Sequence, residues 1–200
     1  MKQLINKEIL EKKEEYYVLT NKGTIIITEI DGKTIKNNKK PVVCSFVLVQ
    51  DEEGKILMNI RKKQPFLDYL NVPGGKNEIG EFSEKAALRE LKEETGISAD
   101  LKLKIIDEKI TYDIETNEVK HHIISYFYLG TNPEGNLIKK MREGENLWIE
   151  PKELKNYSRF PDLDHTIPVI LEKTDTIRIC KIKRFMQGEE FKRIEVDWLN

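Results

Sequence analysis

Apolar and polar residues alternate along residues 101–112 and again along 119–130, the two-residue period of paired β-strands. Residues 42–50 and 55–60 are apolar runs joined by Asp51-Glu52-Glu53-Gly54, which reads as a hairpin turn between strands. Residues 61–81, rich in Pro and Gly, read as a loop. Ser83 suits a helix N-cap and Gly96 the C′ position, predicting a helix over 83–95 with Leu88 and Leu91 able to face the core. Downstream, Asn132-Pro133-Glu134-Gly135 predicts a turn, residues 147–149 a short strand, Pro151 a helix start and residues 164–173 a last helix. Residues 176–185 and 190–196 close the chain as a hairpin around Gln187-Gly188. Strands outnumber helices without strict alternation, so the fold class is α+β, or α/β with a mixed sheet between helices.

The first 40 residues have a different pattern. Residues 4–15 are charged and suit a helix, while 16–19 and 24–28 are β-rich and separated by Asn21-Lys22-Gly23, a turn signal. The polar stretch 36–40, followed by Pro41, reads as a linker. The expected organisation is a β-hairpin appendage over residues 1–40, suited to homodimer formation, and one main domain over 41–200.

Composition narrows the function. With 200 residues, the chain can bury about 70% of its unfolded surface, enough for one substantial core. Lys and Arg number 34 against 35 Asp and Glu, a net charge of −1. That balance excludes a generally basic nucleic-acid coat, and no stable nucleic-acid complex is expected. Residues 1–8 hold no apolar stretch long enough for a signal peptide. No run approaches the roughly 20 apolar residues of a membrane span. The two cysteines, Cys44 and Cys180, read as buried free thiols of a reducing cytoplasm. No Cys/His spacing suggests zinc.

The carboxylates are concentrated. At about 100° per residue, Glu90, Glu93 and Glu94 fall within roughly 100° of arc on the predicted helix. Like charges this close destabilise a helix that merely decorates a surface. Upstream, Pro73-Gly74-Gly75 lets backbone approach a ligand closely, and Lys76 adds a cation. A glycine-rich turn, a lysine and clustered oxygen donors suit a polyphosphate held with Mg2+ or Mn2+.

Gly75, Glu81, Arg89, Glu90, Leu91, Glu93, Glu94, Gly96 and Ile97 fill every specified position of a known pattern: Gly, five residues, Glu, seven residues, Arg-Glu-aliphatic-any-Glu-Glu-any-Gly-aliphatic. The segment resembles the box of the Nudix hydrolase family. The resemblance implies an α/β/α sandwich with a mixed sheet, and hydrolysis of a nucleoside diphosphate linked to another moiety. It implies metal binding by Glu93 and Glu94 with the carbonyl of Gly75, and Glu90 as metal ligand or general base. Arg89 would orient Glu90, Glu81 would support the loop, and Glu143 would be a further ligand, with Glu145 as the alternative.

Over residues 42–196 the resemblance is nearest to the MutT-like subgroup, which hydrolyses oxidised purine nucleoside triphosphates such as 8-oxo-dGTP to monophosphate and pyrophosphate. It implies substrate contacts from Arg61, Asn71, Lys76, Phe160 and Asp162. In Phe160-Pro161-Asp162 the ring would stack on the base and the carboxyl would read its edge, accepting, or donating if its pKa is raised. Leu163 stands where animal members carry a second Asp. Dinucleoside polyphosphates, to which Tyr112 points, and RNA 5′ ends, for which Arg178, Lys181, Lys183 and Arg184 offer cations, are alternative substrates. A Nudix-fold nucleotide-binding regulator without catalysis is the alternative of another class.

Overall fold

The computed structural model describes residues 8, 10–13, 16–20, 40–64, 66–141 and 144–200. The chain divides into two compact units, residues 1–41 and 42–200. In the first, β1 (Leu10–Lys13) and β2 (Tyr16–Leu19) pair antiparallel, with Leu10 opposite Leu19. A strand thus replaces part of the helix expected over 4–15. A helix that short is marginal in water, and the β-rich Tyr16–Leu19 segment offers cross-strand pairs instead. The β-rich segment 24–28 lies outside the described residues.

The second unit is built on a six-stranded mixed sheet. Its members are β3 (Val42–Val49), β6 (Gly74–Lys76), β7 (Ile97–Asp113), β8 (Val119–Gly135), β10 (Arg178–Gln187) and β11 (Glu190–Trp198). The order is β11-β10-β7-β8-β3-β6, with β10 parallel to β7 and β3 parallel to β8. A second sheet has the order β5 (Leu70–Asn71), β4 (Ile56–Arg61), β9 (Gly144–Ile149). One core cluster lies where α1 (Ser83–Thr95) packs Ala87 and Leu91 against Val47, Val49 and Tyr128. The other holds Leu163, Ile167 and Ile170 of α2 (Leu163–Leu171) with Leu48, Ile105, Phe127 and Ile182. Helices on opposite sides of a mixed sheet give the expected α/β/α sandwich. Residues 151–156 form one stretch of 3-10 helix, with Glu150 and Glu153 completing a capping box.

Several local expectations change. Residues 61–81 contain β5 and β6, because Gly74–Lys76 adds to the edge of β3 with Gly75 opposite Ser45. The helix begins after Phe82 without a side-chain cap, since the Ser83 hydroxyl bonds the Tyr128 hydroxyl at 2.7 Å. Leu91 is buried, while Leu88 faces outward at 36% exposure. Residues 132–135 continue β8, and the extra residues are absorbed by a bulge opposite Ser98 and Asp100, with Asn132 at φ 51°. A second bulge, between Leu103 and Ile105 of β7, reverses which side chains face which layer. Leu101 and Leu103 join the α1 side, whereas Ile105 joins the α2 side.

Candidate active site

Of the α1 carboxylates, Glu93 is exposed, but Glu90 and Glu94 are not part of a solvated face. At about 100° per residue, Glu90 and Glu94 fall inside the arc that carries buried Ala86, Ala87, Leu91 and Thr95. They are therefore turned toward the preceding loop. The Glu90 carboxyl lies directly over Gly75, where a β-carbon would meet it at 2.6 Å. Glu94 accepts from the Gly74 N–H at 3.0 Å. Gly74 has φ 145°, and a β-carbon there would stand 2.3 Å from the Ser45 carbonyl oxygen.

Arg89 holds the group together. Its Nε and one terminal nitrogen donate to both oxygens of Glu81, each at 2.9 Å. The other terminal nitrogen donates to Glu90 at 2.8 Å and to Glu93 at 3.3 Å, and the one that bonds Glu81 also donates to the Lys76 carbonyl at 3.2 Å. A guanidinium suits this task because its donors lie in a planar fork. The Arg89 hydrogen bonds, with the Glu78 N–H, hold the Glu81 carboxyl well below its ordinary range, at about 2. Glu81 therefore stays ionised and keeps the loop anchored. Its contribution is present above the ordinary Glu value of about 4.3 and is lost as pH falls toward its folded value.

These donors are hard oxygens beside a cradle that a β-carbon would fill, which fits Mg2+ or Mn2+. Among the described residues no three His, Cys, Asp or Glu side chains converge closely enough to ligate one ion, since Glu81, Glu90 and Glu93 are drawn onto Arg89. Glu143 lies outside the described residues. Glu145 is on β9, opposite Ile60.

The substrate residues implied by the resemblance separate into groups. Lys76 is exposed at the end of β6, next in the chain to the Gly75 on which Glu90 sits. Asn71 lies on β5 opposite Asn59, and Arg61 ends β4 opposite Gly144. Phe160 sits in a cluster of rings with Phe66, Tyr69 and Phe191, at centroid separations of 5.0, 5.5 and 5.8 Å. Asp162 corrects the expectation most. It is 1% exposed, makes no cap bond, and is held by Arg184 at one oxygen and by Lys109 at the other, the latter at 2.8 Å. Burial pushes its carboxyl up, but the Arg184 and Lys109 cations together outweigh burial and the net direction is down. The reading of Asp162 as a donor with a raised pKa therefore fails.

Sequence reasoning missed Asn146 and Lys109, and named Arg184 only as a cation for an RNA groove. The buried Asn146 amide donates to the Glu94 carbonyl at 2.6 Å and to the Ile138 carbonyl at 2.8 Å, and it accepts from Asn59 at 2.8 Å. It thereby ties the end of the carboxylate helix to the second sheet. Arg184 shares the parity of Cys180 and Ile182 along β10, and that period marks it as inward.

The two glycines separate fold from site. Gly74→Ala pushes a β-carbon into backbone and is expected to lower thermal stability markedly. Gly75→Ala meets only the end of a side chain. It is expected to keep the melting temperature within a few degrees while lowering kcat about tenfold or more. Equal losses of melting temperature in both variants would contradict this separation.

A model of the NUDIX domain matches residues 40–170. The 8-oxo-dGTP diphosphatase of Haemophilus influenzae is 34% identical over 131 residues, 62% of this chain and 86% of that protein. The ADP-ribose pyrophosphatase of Methanocaldococcus jannaschii is 32% identical over 104 residues, 52% of this chain and 59% of that protein. A third relative is spanned over only 39% of its length. The crystal structure of the MutT protein from Bacillus halodurans superimposes with a TM-score of 0.66 at 21% identity, covering 78% of this chain and 97% of that one, a likeness of fold. Among the described residues no helix is long and apolar enough to cross a membrane. The matched region contains the whole glycine loop and carboxylate helix, and the chain belongs to the Nudix family.

Proposed function

We propose that this protein is a Mg2+- or Mn2+-dependent pyrophosphohydrolase that cleaves purine nucleoside triphosphates, oxidised ones included, to monophosphate and pyrophosphate. The observation that carries this reading is Glu90 seated on Gly75 with Glu94 on the adjacent Gly74 N–H, while Arg89 bonds both Glu90 and Glu93. In this reading Glu90, Glu93, Glu94 and the Gly75 carbonyl hold the metal. When bound, the metal neutralises phosphate oxygens and lowers the pKa of a water molecule. Glu93 is the one least held by Arg89, because that contact is long and its side chain is 63% exposed. Its carboxylate would join Glu94 in holding the metal. Arg89 keeps Glu90 oriented for metal binding or proton abstraction. Phosphoryl chemistry of this kind rests on positioning and charge neutralisation.

The names of the relatives divide among 8-oxo-dGTP, ADP-ribose and RNA, and the sequence departs from the animal pattern at Leu163, which is 2% exposed in the core. Two alternatives lose support. The cations suggested for an RNA groove are dispersed, since Arg184 is buried, while Lys181 and Lys183 lie opposite Asp197 and Glu195 on β11. Tyr112 stacks on Phe185 at 5.5 Å, so its ring already has a packing partner. The buried free thiols Cys44 and Cys180 suit a reducing cytoplasm.

A panel of 8-oxo-dGTP, the ordinary purine and pyrimidine triphosphates, ADP-ribose, dinucleoside polyphosphates and 5′-triphosphate RNA tests the reading. The expected result is the highest kcat/KM on a purine triphosphate. Preference for ADP-ribose or RNA ends would overturn the substrate class, and tight binding of nucleotides without turnover would overturn catalysis.

A further inference from the structure

The carboxylates of α1 sit at the end of the helix that suits them least. Glu90, Glu93 and Glu94 fall in the last six residues of Ser83–Thr95, where the negative end of the helix dipole disfavours carboxylates. The last four carbonyls of a helix also receive no donor from their own helix. Groups outside the helix must hold such a turn together. Gly96 donates its N–H to the Lys92 carbonyl at 2.9 Å, and Ile138 donates its N–H to the Thr95 carbonyl at 2.8 Å. The Glu94 carbonyl is met by a side chain instead, the Asn146 amide, at 2.6 Å.

Asn146 is 3% exposed. An amide nitrogen has two donors, and here one goes to Glu94 and the other to the Ile138 carbonyl. The amide oxygen accepts from Asn59 of β4. Asn59 is itself confined, since a β-carbon on Gly144 of β9 would stand 2.5 Å from its amide. Glu94 is thereby held from two sides. Its carbonyl is tied to the second sheet through Asn146, and its carboxyl accepts from the Gly74 N–H of β6 in the main sheet at 3.0 Å. The two ties together set where the last turn of α1 lies along the glycine loop.

We propose that Asn146 is a positioning residue for the metal site, whose two N–H groups hold the last turn of α1, and with it the Glu93 and Glu94 carboxylates, in register with the glycine loop. The proposal rests on the metal-dependent hydrolase reading above and deepens it. Asn146 acts through the Glu94 backbone and is not itself a ligand. Partners that orient metal ligands in this way govern affinity, because ligands that must first be gathered bind the ion less tightly. Lys104 provides the contrast. It is 2% exposed, and its ammonium donates to the Glu172 and Thr174 carbonyls just past α2, each at 2.7 Å. It does for the end of α2 what Asn146 does for the end of α1, but α2 carries no member of the metal site.

The test titrates Mn2+ into the protein without nucleotide and reads the free ion by electron paramagnetic resonance. Asn146→Ala is expected to weaken Mn2+ binding about tenfold or more, whereas Lys104→Met leaves it within about twofold, whatever either change does to stability in urea. An Mn2+ affinity of Asn146→Ala within about twofold of the unmodified value, or equal weakening in Lys104→Met, marks Asn146 as structural and overturns the proposal while the hydrolase reading stands. Should Asn146→Ala not fold, nitrogen-15 NMR of the unmodified protein supplies the second readout. The side-chain amide signals of Asn146 are expected to shift as Mg2+ saturates the site, and signals that stay fixed while Mg2+ binds overturn the proposal. If the unmodified protein binds neither ion, the metal site itself fails, and this proposal with it.

Discussion

Glu93→Gln is expected to lower kcat on the order of 10²- to 10³-fold at saturating Mg2+, with the fold intact. The two halves of this expectation have separate origins. Glu93 is 63% exposed and touches Arg89 only at 3.3 Å. Exposed pairs at this spacing contribute about 0.3–0.5 kcal/mol, so losing the charge leaves the melting temperature nearly unchanged. Glutamine keeps the shape and one oxygen but removes the negative charge that suits a divalent ion. Arg89, by contrast, gathers Glu81, Glu90 and the Lys76 carbonyl, and its loss would disturb loop and helix together. A kcat within twofold of the unmodified value at saturating metal would remove Glu93 from the site.

Asp162→Asn carries the largest expected loss of stability, about 3–5 kcal/mol by urea unfolding at pH 7. Asp162 is fully buried and is the shared anion of Lys109 and Arg184. Replacing it leaves two cations confined without it, and the guanidinium remains against the Phe160 and Phe191 rings, 5.4 and 5.3 Å from their centroids. The pH dependence follows from its depressed pKa. Asp162 is ionised in the folded state at pH values where an unfolded Asp, near 3.9, is protonated. Its contribution is complete above about pH 5 and is lost as pH falls below that ordinary value toward its own lower one. The gap in stability between the two proteins should therefore be constant from pH 5 to 7 and narrow in acid. A gap under about 1 kcal/mol, or one that does not change with pH, would show that the cations are not balanced by Asp162.

The carboxylate helix is legible in sequence because its chemistry demands fixed residue types at fixed spacing, and Gly75, Arg89 and Glu90 have no other reason to recur in that order. The strands of the sheet are legible from their two-residue period. The polar interior is not. Asp107 and Lys109 read as ordinary members of an alternating strand, and their burial on the α2 side depends on the bulge between Leu103 and Ile105, which sequence periodicity does not reveal. Phe160-Pro161-Asp162 illustrates a different limit. The motif is present, but the partners of Asp162 come from β7 and β10, 53 and 22 positions away, and long-range pairing decides whether the carboxyl reads a ligand or balances cations. Asn146 is invisible for the same reason, since its bonds join the end of α1 to β4 and β9.

The most direct measurement of the central claim is phosphorus NMR of the protein with a purine nucleoside triphosphate, before and after Mg2+ is added. The account predicts signals of the nucleoside monophosphate and pyrophosphate, appearing together, in equal amounts, and only with the metal. Release of orthophosphate with a nucleoside diphosphate, metal-independent turnover, or no turnover on any purine triphosphate would contradict it.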